Sequence, residues 1–361
     1  MPLPCGEVGR ICFPPAIVSP TSRAPAATYR ARARLSRNRL GTLLVVLAAA
    51  VASAALPDAA VPARSVTKRP LLRPASVGAH GKAHRLFPRF AGAVPVLVYH
   101  RLVTADEGPG VAPAVFEAQL RRLHDLGFEA ITLNQYVRFI RGDAVELPER
   151  PVLITFDDGF ASALASADAV LAGYGWTAVM YVPTGLVGRP GRLTWDELRQ
   201  MRSSGRWQID EHAGHGHDLI TADAAGRRLP FYAGKLWTGG GQESFVHYKQ
   251  RVRSDIERGS ALLARNLPGW TPRASFAVPF GNYGQRASND SRIAPWLSGY
   301  LRRSFDVVFV QRDDRFSTPG AGFANRFALS RRWDADTLEM RLHRGLDDLK
   351  QHAQAKRSRR P

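Results

Sequence analysis

Residues 151–159 read PVLITFDDG, a short apolar run followed at once by two carboxylates. The run has the length and composition of a buried strand, so Asp157 and Asp158 lie directly at the end of that strand. Adjacent carboxylates are costly to place beside a core unless a cation or a reaction uses them. The alternative is that one of them caps a following helix. This stretch is therefore the first candidate for an active site.

A histidine-rich stretch follows further along the chain. Residues 211–218 read EHAGHGHD and contain three of the ten histidines, His212, His215 and His217. The glycines between them indicate a loop. Zinc prefers imidazole nitrogens and carboxylate oxygens, and two histidines with one carboxylate leave positions open for water and substrate. The two stretches together favour a metal-dependent hydrolase, although three surface histidines would produce the same pattern.

Short apolar runs alternate with amphipathic segments from residue 94 to residue 310. The predicted strands are 94–99, 129–133, 152–156, 178–183, 207–210, 274–278 and 305–310, and the predicted helices are 115–126, 133–141, 161–174, 195–202 and 245–266. This alternation is typical of parallel βα units. About seven such units favour an α/β fold built as a distorted parallel (β/α) barrel, in which chemistry lies at the carboxyl ends of strands.

The net charge of +19 is concentrated in the two ends of the chain. Residues 1–89 contain 14 Lys and Arg against two acidic residues, and residues 350–361 contain five Lys and Arg against none. The stretch between them therefore carries only 19 − 12 − 5 = +2. A nucleic-acid partner is not expected, because no basic surface lies within the globular part.

Residues 40–56 form an uncharged apolar run that follows the basic arm 1–39. Such a pair is either a short membrane anchor or the apolar region of a secretory signal, and both predict an exported domain. Residues 57–90 are rich in Pro, Ala and Arg and read as a linker. A single catalytic domain is expected over 91–349, with a basic disordered tail over 350–361. Both cysteines lie in the N-terminal arm, which is compatible with export.

The domain resembles polysaccharide deacetylases of the NodB-homology type, carbohydrate esterase family four. The resemblance covers roughly residues 91–345 and rests on VPVLVYH (94–100), TFDDG (155–159), the histidine loop and VPFG (278–281). Within that family the chain is most similar to the branch that deacetylates poly-N-acetylglucosamine in bacterial biofilms. The resemblance implies a metal-dependent N-deacetylase.

The family pattern implies a role for each matching residue. Asp158 and His212 are expected to bind the metal, and Asp157 to act as the general base that activates water. The second histidine ligand usually lies four residues after the first, where this chain has Gly216. The resemblance favours His217 as that ligand, with His215 as the alternative. Zinc is the expected metal, and cobalt or nickel would accept the same ligands.

Other residues match the family pattern less specifically. His100 is expected to line the substrate pocket, or simply to cap a strand. Pro279 would border that pocket, and the backbone N–H of Phe280 would help to hold the oxyanion. Trp195 is a candidate for stacking on sugar rings, as are Trp237, Tyr232 and Trp270, although such residues are more often core.

Two features of the family pattern have no clear counterpart in this chain. Ala277 occupies the position where many relatives have an arginine, and no Leu-x-His motif supplies a general acid, since His343 lies too late. Arg251 and Asp255 would lie on one helix face, where they would either orient the base or form a surface ion pair. The proton donor therefore has no assignment.

The leading hypothesis is an exported, monomeric, metal-dependent enzyme. It would remove N-acetyl groups from N-acetylglucosamine units of a cell-surface or extracellular polysaccharide. The alternative is a catalytically inactive carbohydrate-binding module with the same fold. A metal-dependent glycosyltransferase is disfavoured, because an exported domain would lack its nucleotide-sugar donor.

Overall fold

The centre of the fold is a sheet of parallel strands that curls into a nearly closed barrel. A computed structural model of the chain describes residues 86–89, 92–311 and 314–357. Eight strands form the barrel wall in the order β10-β9-β8-β5-β4-β3-β1-β11, and β2 pairs with β3 beside this path. The strands are β1 (Val96–Tyr99), β2 (Glu129–Ala130), β3 (Pro151–Phe156), β4 (Ala178–Pro183), β5 (Trp207–Ala213), β8 (Ser275–Ala277), β9 (Val307–Val310), β10 (Ala324–Asn325) and β11 (Phe327–Ala328), with β6 (Leu219–Thr221) and β7 (Arg228–Pro230) forming a separate antiparallel hairpin. The predicted parallel barrel is confirmed.

Helices connect most of the successive parallel strands up to β9, and a further helix follows the last strand. They are α1 (Pro113–Asp125), α2 (Leu133–Arg141), α3 (Ala161–Tyr174), α4 (Trp195–Ser203), α5 (Phe245–Asn266), α6 (Ile293–Ser304) and α7 (Ala335–Arg357). Helix α2 begins at a capping box in which Thr132 and Gln135 satisfy each other's backbone N–H groups, and it ends at Gly142 in the left-handed conformation. Local sequence signals therefore account for both ends of this helix.

Three clusters of buried side chains hold these layers together. One includes the barrel residues Leu153, Val179, Tyr181 and Phe309. A second packs strands against helices on one side and includes Phe116, Leu171 and Leu198, while a third includes residues of α5 and α6. The strands β3 and β4 are buried along their whole length, which explains their continuous apolar sequence.

Several expected boundaries differ from those of the structure. Strand β5 continues to Ala213, so His212 lies on a strand and not in a loop. Helix α7 continues through residues 350–357, where a disordered tail was expected. At the other end, Phe87 is buried, and its N–H donates to the carbonyl of Leu126 at 2.9 Å, so the last part of the expected linker packs on the domain.

The predicted anchor or signal at residues 40–56 lies outside the described residues. Within the ranges that the structure describes, no helix is both long enough and apolar enough to cross a membrane.

Candidate active site

The two adjacent aspartates lie where β3 ends, at the carboxyl edge of the barrel. The backbone N–H of Asp157 donates to the carbonyl of Tyr99 at 2.9 Å, which ties this turn to β1. Asp158 has a φ of 73°, a left-handed conformation that turns the chain sharply after the strand. Helix α3 begins after Phe160 without a side-chain cap. The alternative that an aspartate caps this helix is therefore wrong.

Asp157 is fully buried and is paired with Arg326. Its two carboxylate oxygens accept hydrogen bonds from Nη1 and Nη2 of Arg326 at 2.7 and 2.6 Å. Arg326 is 1% exposed, and its Nη1 also lies 3.4 Å from Oγ1 of Thr155. A bidentate pair of this kind sets both the position and the orientation of the carboxylate.

Arg326 reaches Asp157 because it lies at the seam of the barrel. It is the single residue between β10 and β11, the two end strands of the barrel path. Its N–H donates to the carbonyl of Val310 at 3.1 Å, and the N–H of Leu329 donates to Val98 at 3.0 Å. These backbone bonds hold the arginine over the barrel interior.

A second group of side chains meets on the solvent side of Asp157. Oδ1 of Asp158 lies 3.3 Å from Nε2 of His212 and 2.9 Å from Nε2 of His217. The ligand-type atoms of these three residues all lie within 4.8 Å of one another. They come from the ends of β3 and β5 and from the loop after β5.

The electrostatics of this group favour a bound cation. Burial raises the pKa of both carboxyls, but Arg326 and His212 hold the pKa of Asp157 below its ordinary value. The imidazoles of His212 and His217 hold the pKa of Asp158 well below its ordinary value. Burial lowers the pKa of His217, but Asp158 raises it more. Both carboxylates are therefore ionised at neutral pH.

The hydrogen bonds around His212 test whether a metal ion fits. Its Nδ1 lies 2.7 Å from the carbonyl oxygen of Ala277, so this nitrogen carries the proton and donates. In the neutral ring Nε2 is then an acceptor, and it faces the carboxylate of Asp158. Oδ1 of Asp158 is buried and receives no hydrogen bond from the described residues. A cation between these two acceptors would satisfy both of them, so the donor set fits a divalent ion such as zinc.

The loop that carries His217 is held by one buried carboxylate from α5. Asp255 accepts the backbone N–H groups of Gly214, His215 and Gly216 at 3.0, 2.6 and 3.1 Å. The hydroxyl of Tyr232 donates to the same carboxylate at 2.6 Å. Asp255 thus accepts four hydrogen bonds, and the three from backbone N–H groups order the loop.

Close packing explains why the usual histidine position holds a glycine here. A Cβ at Gly216 would lie 2.6 Å from the ring of Phe231 and 2.8 Å from Oδ2 of Asp255. No side chain fits at this position unless the loop moves. The geometry brings His217 to Asp158, whereas His215 is exposed and lies outside the group.

The expected relation between Arg251 and Asp255 is wrong in both of its forms. Arg251 pairs with Glu243 and donates to the carbonyl oxygens of Phe231 and Gly234 at 3.1 and 2.9 Å. Asp255 binds the histidine loop and is hydrogen-bonded neither to Arg251 nor to Asp157. The i, i+4 spacing was a poor guide, because both side chains turn towards buried backbone groups.

His100 follows β1 and lines a cleft together with Asp158 and Phe160. Burial lowers the pKa of His100 below its ordinary value, although the nearby Asp157 and Asp158 oppose this shift. The ring is therefore neutral at neutral pH and presents both a donor and an acceptor.

Phe280 lies beside the histidines on a short 3₁₀ turn, Pro279–Gly281. Its φ is 58°, and its ring stacks on His217 with centroids 5.1 Å apart. Phe280 is 40% exposed, whereas Pro279 is buried. The turn that was expected to hold the oxyanion thus borders the group of Asp158 and the two histidines.

Trp195 is the first residue of α4 and packs, half-buried, against the main core. The structure does not place it in the cleft beside Asp158. Tyr232 and Trp270 are buried, in agreement with the core alternative.

Arg326 is the one residue of the candidate site that the sequence analysis missed. It is separated from Asp157 by 169 positions, and the segment FANRFALS (323–330) matches none of the motifs used. The available signal was an isolated charge within an apolar segment, which indicates a buried partner of opposite charge.

Part of the chain is similar in sequence to known proteins. Residues 144–294 match the family model described as polysaccharide deacetylase. The poly-beta-1,6-N-acetyl-D-glucosamine N-deacetylase of Escherichia coli is 27% identical over 171 residues, which is 42% of this chain. The chain spans about a quarter of the length of that relative.

Solved structures agree in fold. A de-N-acetylase from Aggregatibacter actinomycetemcomitans superposes with a TM-score of 0.60 at 22% identity, covering 69% of this chain and 100% of the other. IcaB from Ammonifex degensii superposes with a TM-score of 0.51 at 25% identity, covering 66% of this chain and 92% of the other. With the parallel barrel and the family match in agreement, this chain carries a polysaccharide deacetylase domain.

Proposed function

We propose that this protein hydrolyses the N-acetyl group of N-acetylglucosamine units in a cell-surface or extracellular polysaccharide. The observation that carries the proposal is the meeting of Asp158, His212 and His217 next to the buried pair of Asp157 and Arg326. The activity named for the Escherichia coli relative supports the same substrate class.

The three clustered residues would hold a divalent metal ion, which we propose to be zinc. A bound ion of this kind polarises an amide carbonyl and lowers the pKa of water. His212 keeps its Nε2 free for such an ion, because Nδ1 donates to Ala277.

Asp157 is the general base in this proposal. It lies 3.8 Å from Nε2 of His212, so it borders the metal group without belonging to it. Arg326 keeps the carboxylate ionised and aimed, so the base is ready to accept a proton from the attacking water. The backbone N–H of Phe280 would stabilise the negative charge that develops on the acetyl oxygen. His100 and Pro279 would border the acetamido group.

We also propose that the domain works outside the cytoplasm, either anchored in the membrane or secreted. The basic arm and the apolar run of residues 40–56 support export.

The experiment is acetate release from N-acetylglucosamine oligomers by the full-length protein, before and after chelation and after zinc is added back. Asp157→Asn and His217→Ala are the test variants. We expect release that depends on metal and is lost in both variants, while Asp157→Asn still binds zinc. Absence of release by the zinc-loaded protein, with sugar binding retained, would instead establish the inactive carbohydrate-binding module.

A further inference from the structure

The cleft beside the active site is lined on one side by arginines. It has a volume of about 800 Å³, and His100 and Asp158 line the side that faces the metal group. Arg101, Arg331 and Arg332 contribute to the rest of the lining. The volume is within the range of pockets that bury small ligands.

Among the described residues, no carboxylate lies within ion-pair distance of these three arginines, whereas Arg206 and Arg341 are paired with Asp168 and Asp314. Hydrogen bonds with Thr104 lower the pKa of Glu107, and Arg101 is near enough for its guanidinium charge to add to this shift. Asp158 is the only acidic residue of the lining, and it already faces two histidines. The lining therefore carries positive charge that nothing in the cleft neutralises.

The arginines lie on loops that the barrel anchors. Arg101 follows β1, and its carbonyl accepts the N–H of Val111 at 3.0 Å, while the N–H of Val103 donates to Val111 at 3.0 Å. The loop with Arg331 and Arg332 begins at Leu329, which is bonded to β1. The cationic lining is thus set in place next to the proposed reaction centre.

Phe160 provides an aromatic surface in the same cleft. The guanidinium carbons of Arg192 and Arg101 lie 3.7 and 5.5 Å from its ring centroid. Arg192 also donates to the backbone carbonyl of Asp158 at 2.6 Å. Cation–π contact of this kind orients the ring and adds to the positive potential of the cleft.

We propose that Arg101, Arg331 and Arg332 bind an anionic substituent, a carboxylate or a sulfate, on a sugar adjacent to the N-acetylglucosamine unit. This inference rests on the proposed function and narrows its substrate class to an anionic polysaccharide. Guanidinium groups match such anions in shape and charge. A neutral polymer would leave the arginines without partners, and a polymer rich in free amines would be repelled.

The test measures binding and turnover separately on the full-length, zinc-loaded protein. The probes are neutral N-acetylglucosamine oligomers, oligomers in which N-acetylglucosamine alternates with glucuronate, and sulfated forms of the latter. Calorimetry gives the Kd of each probe, and acetate release gives kcat/KM. The variant is Arg331→Gln with Arg332→Gln, and the matched control is Arg302→Gln with Arg303→Gln, an equally exposed adjacent pair on α6.

We expect the wild type to bind one of the anionic probes about tenfold more tightly than the neutral one at low salt, which corresponds to about 1.4 kcal/mol. Raising the ionic strength should reduce this preference. The Arg331 and Arg332 variant should lose the preference, and the control pair should keep it. The probe that binds more tightly identifies the anion as carboxylate or sulfate.

Equal Kd values for neutral and anionic probes would overturn the inference, as would equal loss of preference in the control pair. Tighter binding of an anionic probe without acetate release from any probe would support the anion site and reject the proposed hydrolysis. The two failures are thus distinguishable.

Discussion

Arg326 donates one hydrogen bond to each oxygen of the Asp157 carboxylate inside the barrel, and neither side chain is exposed to solvent. Removing one member of a buried pair leaves the other as an uncompensated charge, whereas removing both does not. Single and double variants of the pair can therefore distinguish its contribution to stability from its contribution to catalysis.

We expect Arg326→Met to lower the free energy of unfolding by about 3–5 kcal/mol, because Asp157 then remains charged in an apolar interior. Urea unfolding at neutral pH measures this loss. Adding Asp157→Asn to the variant should recover much of the stability without recovering acetate release. Equal stability of the single and double variants would show that the pair has no electrostatic role in folding.

The positions of His217 and His215 predict different effects on metal binding. His217→Ala should weaken zinc binding strongly, because its Nε2 lies in the group with Asp158. His215→Ala should leave zinc affinity within about twofold of the wild type, since its exposed ring lies outside that group. Competition with a chromogenic chelator measures both. The reverse order would make His215 the ligand.

Asp255 should influence zinc affinity without contacting the ion. Asp255→Asn retains the shape but weakens the acceptor for three backbone N–H groups. By analogy with outer-shell partners of metal ligands, we expect zinc affinity to fall about 10–100-fold. Glu257→Gln, an exposed acidic residue on the same helix, is the matched control. An unchanged zinc Kd in Asp255→Asn would mean that other contacts hold the loop.

The pair of Asp168 and Arg206 predicts a pH-dependent contribution to stability far from the site. Asp168 accepts from Nε and Nη2 of Arg206 at 3.0 and 2.7 Å and from Trp207 at 2.8 Å. Hydrogen bonds from Arg206 lower the pKa of Asp168 below its ordinary value of 3.8. A lowered folded-state pKa gives stabilisation that is present above pH 3.8 and lost as the pH falls through the folded value.

We therefore expect Asp168→Asn to cost about 1–2 kcal/mol at pH 7. The difference from the wild type should shrink as the pH is lowered towards 3. Urea titrations at several pH values measure it. A difference that stays constant across this range would assign the effect to packing and not to charge.

Long helices were predictable from the sequence, whereas short strands that depend on pairing with their neighbours were not. The bounds of α2, α3 and α5 agree with the prediction. Thr132 and Gly142 flank α2, Gly175 ends α3 in the left-handed conformation, and Ser244 caps the start of α5. Strands β10 and β11 have two residues each, so pairing with neighbours determines them and no local pattern does. Helix α6 contains Pro295 and Gly299, which obscure its helical pattern.

The same distinction applies to the candidate site. Asp157, Asp158 and His212 follow strands whose apolar runs are visible in the sequence, so their convergence could be anticipated. Arg326, which positions Asp157, and Asp255, which holds the loop before His217, come from distant segments, and only the folded chain shows these contacts. The usual motif spacing alone would not have found His217, because a Cβ at Gly216 would lie 2.6 Å from the ring of Phe231 and excludes a histidine at that position.

The hydrogen bonds between Asp255 and the histidine loop also determine at which step the loop loses conformational entropy. Fixing the backbone of one residue costs about 1–2 kcal/mol, and this loop has three consecutive residues held by one carboxylate. That cost is incurred when α5 packs against the barrel, before any ion arrives. Binding of the ion therefore needs little further ordering of the chain. A substitution that disturbs the packing of α5 would make metal binding slower and weaker in an otherwise folded protein.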